Sequence, residues 1–65
     1  MLCYQIVCRW GFTPFARGYD HEYFINAKSL VEAVRIIQDR IEHSAGCELV
    51  TFSYDVRSVS AVKES

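Results

Sequence analysis

The apolar residues of this chain recur at every second position near both ends and at every third or fourth position only once, between them. Leu2, Tyr4, Ile6, Cys8 and Trp10 alternate with a set that includes Gln5 and Arg9, which is the period of a strand with one buried face. Val50, Phe52, Tyr54 and Val56 alternate in the same way with Thr51, Ser53 and Asp55. In the middle, Leu30, Ala33, Val34, Ile37 and Ile41 follow helical spacing, with Glu32, Arg35, Gln38, Asp39 and Glu42 between them. A chain so patterned makes a sheet and one helix, and has little else to build with.

The helix carries its own start and stop. Ser29 and Glu32 stand in capping-box spacing, in which the serine oxygen accepts from the glutamate N–H and the carboxylate reaches back. Glu32 with Arg35, and Arg35 with Asp39, place opposite charges three and four residues apart, each adding about 0.2–0.5 kcal/mol. Gly46 suits a left-handed stop. The spacing predicts a helix over 29–44. Val31 and Ile36 lie off its apolar stripe and offer a second contact.

The remaining boundaries follow from strand breakers. Gly11 and Gly18 bracket a segment holding the chain's one proline, Pro14, so the first strand covers 2–10 and a loop covers 11–18. At this length the loop exceeds an ordinary hairpin connection. Tyr19, Tyr23, Phe24 and Ile25 favour extended structure and predict a second strand over 19–26, with blurred alternation that suits an edge. A third strand covers 48–56. Beyond Arg57 the apolar phase slips to Val59 and Ala61, which a bulge or tight turn within Asp55–Ser58 would produce, leaving 58–63 as a continuing strand, a fourth strand or a tail.

These elements define one α+β domain spanning 1–65: a small single-layer antiparallel sheet of three strands, or four if the tail folds back, with one helix packed on one face, in the order β-β-α-β(-β). A right-handed crossover through the helix places the third strand beside the first and gives the sheet order 2-1-3. The succession of a hairpin and then FINAKSLVEAVRIIQ (residues 24–38) resembles the sheet-and-helix domains of HicB-type antitoxins and of many short phage-encoded proteins, over Tyr4 to Ile41. The chain lacks the acidic Pro-Gly segment between strand and helix that marks the HicB family, so the resemblance implies shape and not activity.

Sixty-five residues bury a thin core, and domains of this size gain stability from disulfides, metals or association. Three cysteines are an odd number, and Met1–Trp10 has no basic segment ahead of an apolar run, which together predict reduced thiols and a cytoplasmic location. Cys3 and Cys8 are an odd step apart on a strand and point to opposite faces, and His21 and His43 complete no ligand motif, so no metal and no cofactor are expected. No apolar run approaches the roughly 20 residues of a membrane-spanning helix. Association is left as the means of completing the core. One helix covers one sheet face, and Cys3, Val7, Phe24 and Leu49 then form the expected dimer interface on the other.

Functional chemistry is sparse. A nucleophile beside a base is nowhere specified, and the cluster Asp20, His21, Glu22 points alternately to the two faces of a strand; the expectation is a chain without enzymatic activity. Phe12, Phe15 and Arg17 occupy a loop where small polar residues are usual, and aromatics with arginine are the side chains that anchor interfaces. They are the expected partner-binding residues. The resulting expectation is a small protein-binding module, acting as a homodimer, that inhibits or regulates another protein in the manner of products encoded by phages and mobile elements. The alternative is a nucleic-acid-binding regulator using Arg9, Trp10, Arg17, Tyr19 and Lys28, disfavoured by a net charge of -1.

Overall fold

The structure, a computed structural model, describes residues 1–15 and 18–62. Strand β1 (Leu2–Gly11) leads through the loop to β2 (His21–Ala27), then to helix α1 (Leu30–Ala45) and to β3 (Thr51–Ala61). The three strands form one sheet in the order β2-β1-β3, with β1 antiparallel to both neighbours. The architecture is the α+β arrangement predicted from the residue periods. The most apolar strand takes the centre, where both its edges are paired.

Residues directly opposite one another in an antiparallel pair share a face, so the register sorts the side chains. Tyr4, Ile6 and Cys8 stand opposite Ile25, Tyr23 and His21 of β2 and opposite Val59, Val56 and Tyr54 of β3. This is the helix side. Its core is Tyr4, Ile6, Cys8, Ile25 and Ala27 from the sheet and Ala33, Ile37 and Ile41 from the helix, with Ile6, Cys8 and Ile37 fully buried.

The phase slip in the third strand is a β-bulge. Ser58 pairs with Gln5 and Val56 with Ile6, so Arg57 has no partner on β1. The extra residue returns Val59 to the face already occupied by Val56. One strand therefore runs through both segments, and no fourth strand forms among the described residues.

The helix begins as its sequence predicts, with one difference. Ser29 is extended at φ −149° and its Oγ accepts from the Glu32 N–H at 3.3 Å. The Glu32 carboxylate reaches past Ser29 and accepts from the Lys28 N–H at 3.0 Å, one residue before a capping box would place it. At the other end Gly46, at φ 72°, donates to the Glu42 carbonyl at 2.8 Å. The Glu42 carboxylate then accepts from the Leu49 N–H at 2.9 Å and fixes the turn into β3.

The opposite face of the sheet is tied by polar side chains. Gln5 donates to Glu22 at 3.0 Å and accepts from Ser58 Oγ at 2.9 Å, linking all three strands, while Arg9 pairs with Asp20. Val7 lies among them and is only 9% exposed. No helix in the described residues is long and apolar enough to cross a membrane.

Candidate functional site: an aromatic cleft and an open strand

Two surfaces are left unfinished by this fold. The first is at the end of the sheet where β1 gives way to the loop. Trp10, the last large side chain of β1, is half-buried there and stacks on His21 with ring centroids 4.0 Å apart and 29° between planes. Tyr23 lies next along β2, its ring centroid 6.0 Å from that of Trp10. The loop returns across the strand at Gly18, where a Cβ would sit 2.7 Å from the Trp10 nitrogen and 2.8 Å from its carbonyl oxygen. Only glycine permits that approach, so the position of the loop over Trp10 is written into Gly18.

Between Trp10 and the last turns of α1 is an open cleft of about 290 Å³. Trp10, Phe12, Tyr23 and Ile41 form its walls, and Arg40 and Ser44 stand on the helix side. Burial pushes the Tyr23 phenol above its ordinary value, Cys8 adds to this, and the Arg40 guanidinium acts in the other direction. Among the described residues Arg40 makes no ion pair. A second hollow of about 260 Å³ is lined by Arg9, Trp10, Gly18 and Phe52.

The second surface is β3. Helix α1 packs over β2 and the centre of the sheet, and the helix-side row of β3 stays open: Tyr54, Val56 and Val59 are 43%, 38% and 50% exposed although they stand opposite buried residues of β1. β3 is also an edge, hydrogen-bonded only to β1 among the described residues. An eleven-residue edge strand without glycine or proline and with an exposed apolar row is a template for pairing.

The expected site residues are dispersed between these surfaces. Phe12 lines the cleft, 38% exposed, and Phe15 projects from the loop at 94% exposed, while Arg17 lies outside the described residues. Cys3, Val7 and Phe24 share the face away from the helix, half-buried, buried and exposed respectively. Leu49 does not join them, because it packs against the helix-side core. Trp10, Tyr23, Arg40 and Ser44 were not singled out together by sequence reasoning. The available signal was that Arg40 and Ser44, four residues apart, flank the buried Ile41 on α1.

Asp20, His21 and Glu22 have separate structural tasks: an ion pair with Arg9, the stack on Trp10 and a hydrogen bond from Gln5. Among the described residues no three His, Cys, Asp or Glu side chains converge as a metal site would require. Cys3, Cys8 and Cys47 are all free thiols, with Cys8 buried and Cys47 exposed. No protein-family model, no curated protein and no solved structure matches the chain.

Proposed function

We propose that this chain is a non-enzymatic protein-binding module that works as a homodimer and regulates or inhibits another protein. The observation behind the reading is the partial reach of the helix. α1 covers β2 and β1, and leaves on β3 both an apolar row and an unpaired edge. A short domain with a thin core has most to gain from completing that surface with another chain.

An isologous pairing of β3 with its copy gives the dimer. Centred on Tyr54, the antiparallel ribbon uses Thr51–Arg57, ends on the bulge residue Arg57, and sets Phe52 of one copy opposite Val56 of the other. It sets no charged residues of like sign directly opposite each other. The Phe12 and Phe15 loop stands at the end of the sheet and is left for the regulated protein. The pairing of Arg9 with Asp20 removes one cation from the aromatic end and counts against nucleic acid as that partner.

Sedimentation equilibrium over micromolar concentrations tests the reading, with thermal melts at the same concentrations. A dimer whose Tm rises with concentration supports it. A monomer at every concentration removes the homodimer and leaves the open strand to a different protein.

A further inference from the structure

Resting on the protein-binding reading, the geometry points to the chemistry of what is bound: we infer that the cleft beside Trp10 receives one apolar side chain of the partner, with an adjacent carboxylate held by Arg40. The cleft, about 290 Å³, lies just below the range of sites that enclose a whole small ligand. It has room for one ring or branched aliphatic group. Its walls are the faces of Trp10, Phe12 and Tyr23 and the side chain of Ile41, the kind of lining in which a single anchor residue is desolvated.

The rim supplies a sign. Arg40, exposed and in the lining of the cleft together with Tyr23, makes no ion pair among the described residues. A guanidinium with neighbouring hydroxyls from Tyr23 and Ser44 offers hydrogen-bond donors to a carboxylate. The C-terminal end of α1 carries a partial negative charge that opposes an anion, so the carboxylate must be met by the long arm of Arg40 and not by the helix end. The Glu42 carboxylate on the same helix forms no ion pair with Arg40 and accepts from the Leu49 N–H. An acidic segment with one large apolar residue is the partner chemistry that fits.

Trp10 is the chain's one tryptophan, so its emission reports occupancy of the cleft directly. The full chain is titrated with 3-phenylpropanoate, with 3-phenylpropanamide and with uridine monophosphate, and the backbone amides of Ser44 and Ala45 are followed by NMR. The expected result is a saturable change with 3-phenylpropanoate, about fivefold tighter than with the amide, and shifts at Ser44 and Ala45. In Arg40→Gln, at an exposed position, the acid should lose its advantage while the amide binds as before. Equal binding of acid and amide, or no saturable response, overturns the inference. Tighter binding of uridine monophosphate overturns it in favour of a nucleic acid. A persistent concentration-dependent dimer with an unresponsive cleft would remove this inference alone and leave the protein-binding reading standing.

Discussion

Trp10 and His21 lie face to face across the β1–β2 pair although the strand register places Cys8, not Trp10, opposite His21. The indole reaches diagonally along the sheet, as aromatic side chains can between strands. The stack joins the end of the central strand to the start of β2, where ladder pairing ceases. Replacing His21 with alanine is expected to cost about 0.5–1.5 kcal/mol and to shift the Trp10 emission to the red as the indole gains water. Chemical denaturation followed by fluorescence reads both effects, and an unchanged emission maximum would show that His21 does not shield the ring.

Ile37 is fully buried, as are Ile6 and Cys8, in a core drawn from few residues. Ile37→Ala should remove about 2–5 kcal/mol, enough to unfold most of a population with the margin of a small domain. Val31, 72% exposed on the same helix, should tolerate lysine within about 0.5 kcal/mol. Circular dichroism melts of the two variants separate packing from helix propensity.

Two glycines should respond to alanine for different reasons. At Gly46 there is open space around a Cβ but φ is +72°, so the cost is conformational, about 1 kcal/mol. At Gly18 the new Cβ would press on the backbone of Trp10, so the loop must move away. Gly46→Ala is expected to lower Tm without altering the near-ultraviolet spectrum, whereas Gly18→Ala should alter the Trp10 environment in the folded state.

Much of this molecule is legible in its residue periods, and what is not has physical causes. The two periods of two and the single helical period place β1, β3 and α1, strand preference places β2, and a crossover through the helix gives the observed order. The phase slip at Val59 also shows, but the period leaves a bulge and a tight turn both open, and only the pairing of Val56 and Val59 on one face decides for the bulge. Tyr19 and Asp20 fall outside β2 because the chain is returning over Trp10 at Gly18, a close approach that period alone does not reveal. Leu49 alternates in phase with a strand, but Glu42 captures its N–H and holds it beside the core instead. The cleft is hidden for a related reason: Trp10, Tyr23 and Arg40 come from three elements and meet only when the helix lies across the sheet. Nor does the sequence show how far one helix reaches, and the open row on β3 depends on that.

Burial makes thiol chemistry site-selective. Cys8 is fully buried and its thiol is pushed above its ordinary value by desolvation, while Cys47 is exposed. Cys47 should alkylate at once under native conditions, and Cys8 only through unfolding. The same shift has a sign for stability. The unfolded chain releases the Cys8 proton near its ordinary value of 9.0, and the Tyr23 proton near 10.0, whereas the folded chain retains both to higher pH. Above the unfolded values the unfolded state binds fewer protons, so stability is whole below about pH 9 and falls as pH rises through the folded values. Denaturation midpoints from pH 7 to 10.5 should decline at the alkaline end, and less so in Cys8→Ala measured against its own value at pH 7.

The open strand makes a prediction that separates two dimer surfaces. Val56 is in the exposed row of β3, 38% exposed, and lysine there is accommodated in a monomer but sets a charge opposite Phe52 of a β3-paired copy. Phe24, 64% exposed, lies on the other face. If β3 is the interface, Val56→Lys should be monomeric with a concentration-independent Tm, while Phe24→Lys should dimerise like the unaltered chain. The reverse pattern would move the interface to the face of Cys3, Val7 and Phe24. A ribbon of seven residues per strand is a small interface, so dissociation in the micromolar range is expected, and Arg57→Pro, which forbids a regular ribbon at the end of the paired segment, should weaken the dimer without reaching the cleft at Trp10.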